Sequence, residues 1–484
     1  MAIVSEALRP NALGRQLALT GFMGAGKSTL GPAVAERLGR SFVSLDDAIE
    51  AGTGTTVADL FQTRGEAAFR AIEQEVAAAL LSRAEPVVLE LGGGAVGSEA
   101  TRDALARSAF TVLLDVDPDE AWRRVQGSDR PLARDPERFR ALHAEREELY
   151  DTVADARAHD VDGIVLAAAG VHVQLGAVEL LGALVPGTGP IEIVADANVA
   201  GIHGVTAQLA LGSRDVAVHE VPPGEAAKST AVLDRLWRAL RIGRDGTLVA
   251  LGGGCTTDLV GLAAATYMRG ISWVAVPTTL VGQVDAAIGG KTAIDLPGAK
   301  NIVGAFHWPA RVVIDPALLE TLPEVERANG MAEVVKTGLL AGEPVWELPE
   351  PALVRRCAAF KAGVCLQDPH DRGPRNQLNL GHTFGHALEA AAGYELPHGR
   401  AVALGLLAAL RISGNEAAAA VVRRVLAPQP LRIDRDAAWA ALARDKKSVG
   451  GVPRLVLLEE VGKPRWGVEV PENEVRAALD SLIA

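Results

Sequence analysis

The chain has 484 residues, 49% hydrophobic and 22% charged, with 48 basic against 60 acidic side chains and a formal net charge of −12. At roughly 150 residues per domain this makes about three compact units, and the composition excludes a disordered or fibrous chain. The negative balance disfavours nucleic acid or anionic membrane as a partner, so an anionic small-molecule substrate must meet a local basic pocket.

The opening stretch, MAIVSEALRPNALGR, lacks a basic region leading into an apolar one, so no secretory signal is read there. Apolar runs at Gln16–Thr20, Pro86–Leu91 and Phe110–Val116 then alternate with helical stretches, the rhythm of βαβ units. Between the first run and the helical stretch Thr29–Leu38 lies Gly21-Phe-Met-Gly24-Ala25-Gly26-Lys27-Ser28-Thr29, which fits G-x-x-x-x-G-K-[ST]. Its glycines permit a tight loop whose amides and helix N-terminus face the phosphates of ATP. Lys27 adds charge at the β and γ phosphates, and the Ser28 hydroxyl can hold Mg²⁺. Nucleotide binding alone does not separate a kinase from a switch or motor.

The flanking residues make that separation. Asp46 follows a strand at Phe42–Leu45, Gly65-Glu-Ala-Ala-Phe-Arg70-Ala-Ile-Glu starts a helix, Gly92-Gly93-Gly94 ends a strand, and Arg130-Pro-Leu and Arg146 come later. Over about residues 14–180 this set resembles shikimate kinase. The resemblance implies that Asp46 contacts the diol and acts as base, Arg70 and Arg146 clamp the substrate carboxylate, Gly93 offers a backbone contact, and Arg130 is a lid arginine reaching ATP. One departure is Ser44-Leu45-Asp46-Asp47 where that family usually has Asp-x-Asp, which implies weakened organisation of Mg²⁺.

The apolar stretch 163–187 carries His172, Gln174 and Glu179, costly at a bilayer centre, and reads as a buried strand and a helix rather than a membrane span. Turn formers in Val185-Pro-Gly-Thr-Gly-Pro190 place a linker at 186–190, closing a P-loop kinase domain with a parallel sheet over 1–185. Strands at Ile191–Ala195, Thr247–Leu251, Trp273–Pro277 and Val312–Asp315 alternate with helices, while the pattern beyond Pro323 is mostly helical. The expected fold is therefore α/β, with a Rossmann-like lobe over 191–322, read as NAD-binding from its glycines, and a mainly α-helical lobe over 323–484, read as metal-binding from its histidines. The triple glycine after Leu251 repeats that after Leu91, which reads as a shared need for bare backbone beside a ligand rather than a duplication. Cys255, Cys357 and Cys365 are odd in number and lack metal spacing, so they read as core residues of a cytoplasmic protein.

In the NAD-binding lobe, Gly253 and Gly254 followed by Asp258 offer close approach to a pyrophosphate, and Asp196 or Glu225 can take ribose hydroxyls. Asn198, Lys228, Thr278 and Thr279 complete the candidate dinucleotide set. Further on, Glu333, His382, His386 and His398 invite a metal, but the i,i+4 spacing of His382 and His386 does not say which histidine ligates and which handles protons.

From about 190 to 484 the chain resembles 3-dehydroquinate synthase through Ala265-Thr-Tyr-Met-Arg269-Gly, Pro277-Thr-Thr-Leu, Gly-Gly-Lys291-Thr, Lys300-Asn301, Ala332-Glu333-Val-Val-Lys336 and Asn379-Leu-Gly-His-Thr-Phe-Gly-His386. The resemblance implies Zn²⁺ (or Co²⁺) on Glu333, His382 and His398, with His386 near the departing phosphate. It places Asp285, Lys291, Lys300, Asn301, Lys336, Lys361, Arg375, Asn379 and Lys446 in the substrate pocket, with Asp285, Lys291 and Lys336 in the catalytic set and Lys291 and Lys300 also beside NAD. Arg269 matches an arginine that reaches the phosphate in a neighbouring subunit, which implies a homodimer. The implied reaction closes a seven-carbon keto-acid phosphate into a carbocycle, with NAD recycled rather than consumed. A second departure, Arg400 where that family often has Glu, sets a cation near a metal ligand and implies lower zinc affinity. The rival readings are another sugar-phosphate cyclase or a polyol dehydrogenase for the second half, and a nucleotide-sensing regulatory module for the first.

Overall fold

The computed structural model describes residues 11–126, 135–443 and 453–484. The chain divides into two compact units, Met1–Val171 and His172–Ala484.

The first unit is built on a five-stranded parallel sheet of β1 (Gln16–Thr20), β2 (Phe42–Ser44), β3 (Val88–Glu90), β4 (Ala109–Leu114) and β5 (Ala156–Ala158), in the order β2-β3-β1-β4-β5. Every residue of β1 and β4 is buried, as central parallel strands covered on both faces require. Helix α1 (Lys27–Leu38) leaves the loop after β1, and α2 (Leu45–Thr53) starts on β2 with the Ser44 hydroxyl as its cap. Helices α3 (Val57–Leu81) and α4 (Pro136–Val153) complete the frame of the site. The C-terminal ends of β1, β2 and β3 thus bring the glycine loop, Asp46 and the triple glycine to one edge of the sheet.

In the second unit, β6 (Val171–Val173, where the division falls), β7 (Ile191–Asp196), β8 (Val216–Val221), β9 (Thr247–Gly252), β10 (Ser272–Pro277) and β13 (Arg311–Ile314) form a sheet in the order β6-β13-β10-β9-β7-β8. The pairs β8-β7, β7-β9, β9-β10 and β10-β13 are parallel. Helix α5 (Gly254–Thr266) follows β9 directly, and β11 (Lys291–Leu296) with β12 (Ala299–Phe306) make an antiparallel hairpin. The remainder is helical, with α6 (Glu324–Ala341), α7 (Glu350–Gln367), α8 (His382–Ala391) and α9 (His398–Ile412) around two apolar cores. A second hairpin, β14 (Arg454–Glu460) with β15 (Lys463–Glu469), interrupts the expected helical pattern.

The domain boundary differs from the expectation. Ala177, Val178, Leu181 and Val185 share a core with Ile191, Val249 and Val274, so residues 172–185 pack into the second unit instead of closing the first. Among the described residues no helix is long and apolar enough to cross a membrane.

Candidate active sites

In the first unit the loop after β1 is held by glycines that no other residue could replace without strain. Gly21 has φ 140° and a Cβ there would sit 2.5 Å from the Leu114 carbonyl, while Gly24 and Gly26 have φ 83° and 94°. Ala25 lies inside this loop, and Ser28 and Thr29 face solvent in the first turn of α1. Lys27 is buried, its ammonium donating to the carbonyls of Gly21 at 2.7 Å and Phe22 at 3.1 Å. The Ser28 hydroxyl donates to Glu90 Oε1 at 2.6 Å.

Beside the loop, the acid and two of the three arginines converge. A Cβ on Gly92 would lie 3.1 Å from both Asp46 Oδ1 and Glu73 Oε1, so these carboxylates flank the triple glycine. Arg70 Nη1 donates to Glu73 Oε2 at 2.6 Å, and the Arg70 guanidinium packs against Gly94. Arg146 Nη1 and the Tyr150 hydroxyl both donate to the Gly93 carbonyl, at 3.0 and 2.7 Å. Asp46, Arg70, Gly93 and Arg146 are therefore brought together, while Arg130 lies outside the described residues. Glu73, missed as a functional residue, is buried one helical turn after Arg70. Burial pushes its pKa up, against the pull of Arg70, with the Asp46 charge adding to the rise. The i,i+3 spacing from Arg70 was the available signal.

The second unit holds a cleft of about 1120 Å³ between its sheet edge and helices α8 and α9. Its sheet side carries Asp196, Asn198, Glu225, Lys228, Gly253, Gly254, Asp258, Thr278 and Thr279, and its hairpin side Lys300 and Asn301. Asn379, His382, His386 and His398 line the opposite wall. Gly253 approaches Thr279, whose Cγ2 would lie 3.0 Å from a Cβ, so bare backbone faces the cleft. The Thr278 hydroxyl is buried without a hydrogen-bond partner, an unmet polar group at that wall. Lys228 donates to Asp258 at 2.7 Å and to Asn301, and Lys300 to Glu225 at 3.2 Å. Burial opposes the Lys228 charge, but Asp258 and Glu225 outweigh it and raise its pKa, while burial lifts Asp258 to about 6.

Glu333 on α6, His382 on α8 and His398 on α9 offer ligand atoms that all lie within 4.8 Å of one another. His382 Nε2 and His398 Nε2 stand 3.4 and 3.3 Å from Glu333 Oε1. A carboxylate and two imidazoles at that spacing fit a divalent ion with room left for substrate oxygens. Burial, then Lys336, lowers the pKa of His382, leaving its imidazole neutral and ready to ligate. Burial opposes protonation of His398, but hydrogen bonds to Glu333 and Glu389 lift its pKa to about 10, so a metal must displace a proton there. His386 is exposed to the cleft, its ring 5.4 Å from that of His382.

Behind the metal cluster runs a buried chain of opposite charges. Lys336, 1% exposed, bridges Glu333 and Asp285 Oδ2, the latter at 2.9 Å, and Lys361 pairs with Asp285 Oδ1. Lys291 sits 2.5 Å from Asp371, its charge opposed first by burial and then by Arg375. Arg375 is buried with its Nε lacking a hydrogen-bond partner. Replacing Lys336 by Met removes the cation shared by Glu333 and Asp285, leaving Asp285 only Lys361, and is expected to cost the second unit about 3–5 kcal/mol, read as a lower denaturant midpoint.

One expectation needs correction. The Arg400 side chain is exposed and donates to the Gln429 carbonyl, and the group beside His398 is Glu389 Oε1, 3.4 Å from Nδ1, so Arg400 is not the outer partner of His398. Glu389, buried and one turn after His386, was not identified from the sequence. Replacing Glu389 by Gln is expected to weaken zinc binding by about 10–100-fold, measured by competition with a chelating dye. Lys446 lies outside the described residues, and Arg269 is exposed on the turn after α5, away from the cleft lining.

Comparison with known proteins relates each unit to a family. The family model of shikimate kinase matches residues 23–165, and those of the N-terminal and C-terminal parts of 3-dehydroquinate synthase match 218–329 and 330–448. The 3-dehydroquinate synthase of Bordetella pertussis is 41% identical over 345 residues, 64% of this chain and 95% of that protein. That of Latilactobacillus sakei is 40% identical over 297 residues, 57% of this chain and 83% of that protein. A solved structure of 2-epi-5-epi-valiolone synthase from Streptomyces hygroscopicus, with NAD⁺ and Zn²⁺ bound, is 27% identical with a TM-score of 0.57, covering 64% of this chain and 96% of that one. The chain belongs to the 3-dehydroquinate synthase family and carries a shikimate kinase domain ahead of the synthase in the same polypeptide.

Proposed function

We propose that the first unit phosphorylates shikimate with ATP and that the second converts 3-deoxy-D-arabino-heptulosonate 7-phosphate to 3-dehydroquinate and phosphate, two reactions of the shikimate pathway. The observation that carries the reading is the convergence of Glu333, His382 and His398 at a cleft whose other wall includes the bare backbone of Gly253 and Gly254.

In the kinase, Asp46 takes the proton of the attacking hydroxyl, and Arg70 and Arg146 pair with the shikimate carboxylate. Lys27 leaves its loop carbonyls to neutralise the β and γ phosphates. Ser28 is the protein group that would hold Mg²⁺, which would supply charge neutralisation at the phosphates. In the synthase, Glu333, His382 and His398 would hold zinc or cobalt, which would supply Lewis-acid chemistry toward a substrate hydroxyl, and NAD⁺ would supply a recyclable hydride acceptor. Asp196 and Glu225 take ribose hydroxyls, and Gly253 and Gly254 admit the pyrophosphate beside Asn198, Asp258 and Thr278. Lys291, Lys361, Arg375 and Asn379 seat the anionic ends of the substrate, with Asp285 and Lys336 fixing their positions. His386, exposed beside the metal ligands, carries the proton at the departing phosphate.

The reading also places the enzyme in the cytoplasm as a homodimer. Met268 and Arg269 adopt left-handed φ of 50° and 67°, an arrangement unfavourable by about 1–2 kcal/mol per residue, which supports a functional demand on this exposed arginine. Shikimate-dependent ADP formation and release of phosphate from the heptulosonate phosphate, assayed on one preparation, test the two activities. ATP binding without shikimate-dependent turnover would instead mark the first unit as a sensor.

A further inference from the structure

The Ser28–Glu90 contact has no place in the shikimate-binding set. Glu90 ends β3, where it is the register partner of Leu19 on β1 and of Ser44 on β2. Its carboxylate accepts the Ser28 hydroxyl at 2.6 Å, so it stands at the mouth of the phosphate loop. A carboxylate there faces the phosphates of a bound nucleotide and repels them unless a cation lies between. In P-loop enzymes that cation is Mg²⁺, held by the loop hydroxyl and by an acidic group from an adjacent strand end. Ser44 cannot fill that role, because its oxygen is uncharged and accepts the Asp47 amide at 3.3 Å to cap α2. Asp46 is drawn off toward Gly92, beside Glu73.

We propose that Glu90 is the acidic group that positions Mg²⁺ with Ser28, displaced by one strand from position 44. The inference rests on the kinase reading, and it reverses the expectation that Ser44 weakens metal organisation. Glu90 acts through the metal and touches neither the transferred phosphoryl nor shikimate.

The test is a Mg²⁺ titration of ATP binding to the full chain, with ATP affinity in excess chelator measured alongside. Glu90→Gln should raise the magnesium concentration at half-saturation by about 10–100-fold, while ATP binding in chelator stays equal or tightens as the repulsive charge is removed. Adding Ser44→Asp to Glu90→Gln should return the midpoint most of the way to wild type. An unshifted midpoint in Glu90→Gln overturns the proposal. Should that variant lose ATP binding in chelator, Glu90→Asp replaces it: a midpoint shifted several-fold supports the proposal and an unshifted one overturns it. Failure of the kinase reading is distinguishable, since wild-type protein would then bind Mg²⁺ and ATP without shikimate-dependent ADP release.

Discussion

Replacing His382 by alanine is expected to abolish tight zinc binding and to lower phosphate release by about 10³-fold, with shikimate-dependent ADP formation unchanged. The magnitude follows from a Lewis acid contributing several kcal/mol to the barrier, at about 1.4 kcal/mol per tenfold. His382 is the neutral imidazole of the cluster, and without it Glu333 and His398 remain as a two-ligand site. The side chain is not part of either apolar core, so the fold should survive. Metal content of the purified variant, measured with both activities, checks the prediction. Full zinc occupancy with wild-type turnover would remove His382 from the site.

Asp46→Asn should produce the complementary loss. Removing the group that takes the hydroxyl proton is expected to cost about 10²–10⁴-fold in kcat for ADP formation, with the KM for ATP and phosphate release from the heptulosonate phosphate unchanged. The substitution preserves the side-chain shape beside Gly92 and removes the charge that helps raise the pKa of Glu73. A loss confined to KM for shikimate, with kcat retained, would assign Asp46 to substrate binding alone.

The sequence made some parts of this arrangement legible and hid others, for identifiable reasons. Strand β1 and its loop were readable because a central parallel strand must be apolar on both faces and a phosphate loop must be rich in glycine. The metal ligands come from three helices, with Glu333 and His398 65 positions apart, and spacing alone left His386 as plausible a ligand as His382. The family resemblance separated them. Glu73 and Glu389 were passed over because an acidic residue on a helix usually faces solvent, whereas both are buried one turn from a named functional residue. The Pro/Gly-rich segment after Val185 looked like a domain boundary, yet apolar residues do not declare which core they join. Those of 177–185 complete the core against the second sheet. The hairpin carrying Lys291, Lys300 and Asn301 went unnoticed because β12 sets its apolar residues side by side and exposed, as at Ile302 and Val303, without the alternation by which strands are recognised.

The central claim is that the second unit recycles a hydride while expelling phosphate. The most direct measurement is a single time course on the purified full chain, supplied with the heptulosonate phosphate, NAD⁺ and zinc, recording phosphate and reduced nicotinamide together. The account predicts one phosphate per substrate consumed and no net accumulation of NADH. Stoichiometric NADH without phosphate would contradict it and identify a dehydrogenase.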